Sequence, residues 1–332
     1  MLQIDEGLLD ALQTRLNLQG TLDLRAGRFA GGGSVQLPGA QGQADGSFAA
    51  ADGNGDVDLR IDNTATVLDW LRSLHSLPVI GPRLREAMAR QPLLNEGRLN
   101  GQASLKAQWR GGLGSLGWPA NGPVAPLQAQ LTLEVPRLSA SLPGSSSTDW
   151  TVSDLRLQAS GSPADMAVQL GAQAAQGPWS AALQTQGRAQ ALWPLPAIGA
   201  APARVQIESL TLRASDARRP DRVTDWTLRN AQPLRLDLLN TATGLALQAA
   251  AGQLQLLPQP RSAGRDAAAT PLAPLTLGWD QLAWQGGTLQ TRGRLSGLPL
   301  SWGDTLGRAE GATAGPPVSY THLRAHETSL HL

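Results

Sequence analysis

Three of the four histidines, His322, His326 and His331, sit close together near the C-terminal end at spacings of four and five. On a helix such spacing brings imidazoles to one face, which is the chemistry of a zinc site. The string that holds them argues against that reading. Val318–Leu332 (VSYTHLRAHETSLHL) contains the only tyrosine, Tyr320, and breaks abruptly with the composition that precedes Pro317. It reads as a vector- or adapter-derived sequencing artefact, the natural gene continuing beyond Gly315, and it is set aside from fold and function. No metal and no cofactor are expected.

The other chemistry-bearing residues do not assemble into a catalytic set. His75 has no acid or nucleophile beside it in a recognisable motif. Arg218, Arg219, Asp221, Arg222 and Asp225 form a mixed-charge cluster that reads as a solvated loop. Gly144–Ser147 lacks the strand–turn–helix context of a nucleophile elbow. No glycine-rich loop with a trailing lysine is present to hold phosphate. The chain has no cysteine, which excludes disulfides, thiolate metal sites and cysteine nucleophiles. The sequence therefore predicts a protein that is not an enzyme.

Composition narrows the remaining classes. The net charge is +1 with signs interspersed, and Lys106 is the only lysine, so there is no basic stripe and nucleic acid is not an expected partner. The chain is 41% hydrophobic but 4% aromatic, so its apolar surface is chiefly Leu, Ala and Val. Met1–Arg15 carries Asp5, Glu6 and Asp10 and lacks the basic n-region of a signal peptide. No stretch approaches the ~18 apolar residues of a membrane span. Patterned sequence begins almost at once, with Leu16, Leu18, Leu22 and Leu24, so Met1 is read as an internal start within a longer protein.

The dominant signal is alternation. From Leu127 to Leu142 an apolar residue falls on nearly every second position, and the rhythm returns at Leu99–Trp109, Val205–Ala214, Leu234–Leu238, Leu245–Ala251 and Leu275–Leu277. Successive strand side chains point to opposite faces, so each such stretch predicts a strand with one aliphatic and one polar face. The Leu127–Leu142 stretch is read as two strands, Leu127–Val135 and Leu138–Leu142, and further strands are expected at Thr151–Ala159, Ala167–Gln173, Trp179–Thr185, Trp226–Leu228, Leu254–Leu257, Gln281–Trp284 and Thr288–Leu295. Gln13–Leu37 reads as two or three strands with turns at Gly27 and Gly31–Gly33, Gly39–Gly55 as turns or a short strand around Phe48, and Val57, Leu59 and Ile61 as the next alternating strand.

Between Asn63 and Leu77 the period changes. Val67, Leu68, Leu71, Leu74 and Leu77 recur at helical spacing behind capping residues at Asn63–Ala65, and Arg83–Arg90 can form a second short helix. The predicted fold is all-β, a long antiparallel meander curled into an open, taco-like groove, with a short helical insert near 66–91. Its parts are a β-groove segment over 1–62, the insert over 63–95, a second β-groove segment over 96–303 and a tail over 304–332. The groove lining expected from the alternation is Leu99, Leu105, Leu127, Leu131, Leu133, Val135, Leu155, Leu157, Val168, Leu170, Val205, Ile207, Leu210, Leu212, Leu234, Leu236, Leu245 and Leu247. The ten tryptophans, among them Trp109, Trp118, Trp193 and Trp302, are weighed as core plugs against groove-rim residues.

The stretch Leu77–Gly112 (LPVIGPRLREAMARQPLLNEGRLNGQASLKAQWRGG) resembles the TamB family of translocation and assembly module proteins, within the AsmA-like superfamily. Gly97, Leu99, Gly101, Leu105, Trp109 and Gly111 fit its G-x-L-x-G repeat followed by an alternating strand, and Gly287–Trp302 (GTLQTRGRLSGLPLSW) is similar to its "GLPL-W" element. The resemblance implies a periplasmic segment of a protein anchored to the inner membrane, with a hydrophobic β-groove. It implies phospholipid as the partner, conducted between inner and outer membranes. Alternatively, it implies assistance to the assembly of outer-membrane β-barrels together with the outer-membrane protein TamA.

Overall fold

A computed structural model describes residues 13–23, 27–76, 92–119, 122–141, 149–191, 197–217, 225–242, 244–259, 274–297 and the backbone of 330–331. The chain is an all-β protein built on antiparallel pairing. It divides into two compact units, Met1–Ala182 and Leu183–Leu332, the division falling within one strand.

The first unit is a simple meander. Strands β1 (Arg15–Asp23), β2 (Arg28–Leu37), β3 (Ala40–Ala49), β4 (Asn54–Ile61), β5 (Arg98–Arg110), β6 (Gln128–Ser141), β7 (Trp150–Ser162) and β8 (Asp165–Gln176) pair each with the next. Directly opposed cross-strand ion pairs stand on the polar side, Lys106 with Asp58 at 3.7 Å and Arg156 with Glu134 at 3.5 Å. Such opposed charges favour this pairing over a one-residue slip.

One local expectation is corrected here and another extended. Gly31–Gly33 is not a turn but lies inside β2, while Gly39–Gly55, read as turns or a short strand, contains the whole ten-residue β3 and the start of β4. Glycine's poor strand propensity weakens the strand signal of both stretches. Their reason becomes visible in the register, where Gly20, Gly31, Gly46 and Gly55 form one row across β1–β4. At Gly46 φ is +145°, and a Cβ would overlap the Asn54 carbonyl of the next strand. Aromatic rings lie over the two ends of this row. A Cβ on Gly20 would meet Phe29 Cζ at 2.7 Å, and one on Gly55 would meet Trp109 Cη2 at 2.6 Å. The row gives up side chains so that rings can lie flat on the sheet.

The helical insert begins as expected. Helix α1 (Thr64–Ser73) is capped by Asn63, whose Oδ1 accepts from the Ala65 and Thr66 amides at 3.0 and 3.2 Å. Leu68 is its buried residue, and Arg72 ties it down by donating to the carbonyls of Leu94 (3.1 Å) and Gly97 (2.6 Å). A four-residue helix α2 (Pro92–Asn95), not foreseen, leads into β5. The helix expected at Arg83–Arg90 lies outside the described residues, as do Gly144–Ser147, Arg218–Arg222, Trp193 and Trp302.

The second unit is not a plain meander. It holds β9 (Trp179–Gln190) from Leu183 onward, which pairs with β10 (Ala203–Asp216), then β11 (Asp225–Asn230), β12 (Leu234–Thr241), β13 (Gly244–Ala249), β14 (Gly252–Gln259), β15 (Leu275–Gln285) and β16 (Thr288–Ser296), with the two-residue β17 (Leu330–His331) beside β16. The long strands β10 and β15 each carry two shorter strands end to end. One lane runs β10–β11–β14–β15 and the other β10–β12–β13–β15. Leu275–Leu277 and Gln281–Trp284, read in the sequence as two strands, are the two halves of β15, continuous through a bulge between Trp279 and Gln281.

Asn230 closes the seam between the lanes. It accepts from the Leu210 amide at 2.7 Å and donates to the Glu208 and Gln232 carbonyls at 3.1 and 2.9 Å. Leu234, Ala249 and Trp279 are buried together against Ile207, Leu236, Leu254 and Leu282. Trp279 Nε1 donates to the Ala250 carbonyl at 2.8 Å.

Candidate functional site: the apolar sheet face

Register decides which side chains share a face, because paired residues in an antiparallel ladder point the same way. In the first unit one rank reads Leu16, Val35, Gly42, Leu59, Leu105, Leu133, Leu157 and Leu170 from β1 to β8. The next reads Leu18, Gly33, Ala44, Val57, Ala107, Leu131, Ala159 and Val168. The opposite face carries residues such as Gln43, Asp58, Lys106, Thr132, Gln158 and Gln169. One side of this sheet is hydrocarbon and the other is polar.

The structure places the predicted lining on these apolar faces, unit by unit. Leu99, Leu105, Leu131, Leu133, Leu155, Leu157, Val168 and Leu170 share the face in the first unit and are half-buried. Val135 lies on the same face but is buried, and Leu127, just ahead of β6, is buried at 3% exposure. In the second unit Val205, Ile207, Leu236 and Leu247 belong to the β12–β13 lane, with Leu245 the most open at 44%. Leu210 and Leu212 belong to the other lane, where Leu212 pairs with Leu228 and that in turn with Leu256. Leu234 is packed core at the seam. Leu127, Val135 and Leu234 are thus packing residues, sealed by neighbouring chain.

The first unit also holds a cavity of about 580 Å³ on the apolar face of β1–β4. Its walls include Leu16, Leu22, Phe29, Val35, Phe48 and Leu59, and its floor includes Gly33, Ala44 and Val57. Leu18 and Leu22 are 52% and 61% exposed. Phe48 stands between Phe29 and Trp109, with ring centroids 6.0 and 5.0 Å away. The segment after β5 brings Trp118 to this cavity. It laps back onto the β3–β4 turn through Gly111 N–H to Gly53 O (2.7 Å), Gly114 N–H to Ala50 O (2.9 Å) and Ala125 N–H to Ala51 O (2.7 Å).

None of these β1–β4 residues was in the predicted lining. The alternation of Leu16, Leu18 and Leu22 was a sufficient signal, but the glycines beyond it blurred the extent of β2 and β3. Trp150 and Trp179, at the starts of β7 and β9, are exposed, whereas Trp279 is core. Trp109 Nε1 is buried and has no hydrogen-bond partner among the described residues.

The chemistry available is that of a non-polar solvent surface. Among the described residues no group of three metal-ligating side chains converges, and no helix is long and apolar enough to cross a membrane. His75 sits in the 3-10 turn after α1. No protein family, no curated protein and no solved structure matches this chain.

Proposed function

We propose that this chain is a non-enzymatic segment of a TamB-like or other AsmA-like protein of the periplasm, held to the inner membrane by a part outside this sequence. In this reading its apolar sheet face forms an open groove that conducts phospholipid between the inner and outer membranes. One observation carries the reading: in the first unit the aliphatic ranks stay on one face through the bulges of β6 and β7, and most of their leucines remain half-buried. Each methylene moved from water onto such a surface gains roughly 0.8 kcal/mol. Strand amides and carbonyls are occupied by neighbouring strands, so the face offers tails no directional contact and lets them slide.

A photo-crosslinker placed at Leu131 or Leu212 in cells should capture phospholipid, and one at the neighbouring Gln130 or Arg213 should not. Equal capture from both phases would rule the reading out.

Assistance to outer-membrane β-barrel assembly is a second reading, favoured by β1. All nine of its residues are exposed, and among the described residues it pairs only with β2. A free strand edge is the surface that adds a further strand. Crosslinks from Asn17 or Gln19 to outer-membrane proteins, with none to lipid from Leu131, would select it.

A further inference from the structure

Resting on the lipid reading, we propose that tails do not occupy the apolar face evenly. The furrow over β1–β4 is a discrete seat for a single acyl chain of a phospholipid, and Ala44 is the residue that keeps it open.

Two walls define the seat. Leu22, Phe29 and Phe48 are register partners across β1–β3, and Trp109 extends their line by its ring contact with Phe48. The second wall is Leu16, Val35 and Leu59, and it closes over Gly42. A Cβ there would lie 2.6 Å from Leu59 Cδ2 and 3.1 Å from Val35 Cγ1. Between the walls the rank Gly33–Ala44–Val57 is low. One strand pair further the same rank passes through Ala107 to Leu131, and the floor rises. The space enclosed, about 580 Å³, falls in the ~300–1,000 Å³ range of pockets that bury one small ligand.

The occupant follows from what the lining lacks. Among the described residues no charged side chain lines the cavity. The backbone groups of β2, β3 and β4, which carry the floor, are engaged in the ladders on both sides of each strand. A peptide lying over this floor would carry amides away from water with only Ser34, Gln43 and Trp118 among the lining residues bearing polar side-chain groups, at ~1–3 kcal/mol for each amide left unpaired. A hydrocarbon chain carries none. Trp118, 54% exposed, stands at the cavity with an amphipathic ring suited to the boundary between tail and headgroup.

The test uses the full chain with vesicles of phosphatidylethanolamine and phosphatidylglycerol whose tails carry a diazirine, followed by irradiation and peptide mapping. Label should concentrate in the peptides spanning β1–β4. Ala44→Phe should cut that label about tenfold, because the added ring fills the floor. Ala159→Phe, on the same rank of β7, should leave it unchanged. Excess free palmitate should compete only if the tail alone is recognised, and failure to compete assigns the headgroup a share without moving the seat. Label spread evenly over β1–β8, indifferent to Ala44→Phe, would overturn the seat and leave the groove-wide reading standing. No label on apolar-face peptides would overturn both. Should Ala44→Phe fail to fold by circular dichroism, the label distribution on the unaltered chain decides alone.

Discussion

Pro136 and Asp154 stand opposite each other in the register of β6 and β7, between the pairs Val135–Leu155 and Arg137–Ser153. Each is the extra residue of a bulge toward the strand on its other side. β6 shifts against β5 between Gln102 and Ser104, and β7 shifts against β8 between Ser153 and Arg156. The two bulges cancel across the β6–β7 pair, which keeps its own register. Without them Leu138, Ala140, Val152 and Trp150 would turn onto the polar face, because a one-residue slip inverts every side chain that follows. Proline fits such a site because it has no amide to leave unpaired.

Asp154 therefore occupies a position that matters for conformation more than for charge. Its φ is +50°, in the left-handed region, and its carboxylate accepts from Gln173 Nε2 at 2.9 Å. Asp154→Val should lower stability by about 1–2 kcal/mol, since a β-branched residue is disfavoured there. Asp154→Gly should stay close to the parent. Urea denaturation midpoints check both, and equal losses in the two variants would refute the conformational account.

Trp109 combines a favourable ring contact with an orphaned donor. Its indole covers Gly55 and lies 5.0 Å from the Phe48 ring, while Nε1 is buried without a partner among the described residues. Trp109→Phe removes a group whose burial costs about 1–3 kcal/mol, which offsets the lost area, so stability should change little. Trp109→Ala should cost about 3 kcal/mol, because it leaves a hole over the glycine row. Thermal unfolding of the two variants separates the donor from the ring.

Asn230 holds three backbone groups at the seam of the second unit. Asn230→Ala strands the Leu210 amide and the Glu208 and Gln232 carbonyls, and about 1–3 kcal/mol of stability should be lost. Hydrogen exchange should quicken at the Leu210 amide and leave the β15–β16 ladder unchanged. Uniform quickening along both lanes would show that the seam is not a local device.

Legibility in the sequence varied with residue type. Leu99–Trp109 and Thr288–Leu295 alternate without interruption, and each is one strand with ends near those expected. Val67, Leu68, Leu71 and Leu74 marked a helix because a period of 3.6 stands out among periods of two. Leu127–Val135 and Leu138–Leu142 were read as two strands where β6 is one, since a bulge interrupts the pattern exactly as a turn would, without ending the pairing. The β1–β4 cavity went unseen for a related reason. Glycine in a strand means a neighbour has come close, and the neighbours of Gly20 and Gly55 are rings on other strands.

The order of amino acids by itself determined an all-β chain of one-sided strands, because side-chain direction along a strand has a period of two whatever the strand pairs with. Which strands pair was decided only in three dimensions. Nothing local distinguishes a β11 that pairs with β12 from one that passes it for β14, or tells Leu234 that it will be sealed while Leu245 stays open. Those outcomes depend on which backbones lie side by side, and on where bulges at Pro136, Asp154 and Asp280 return an apolar rank to its face. A local pattern can specify a face, but a cavity needs two walls drawn from distant parts of the chain.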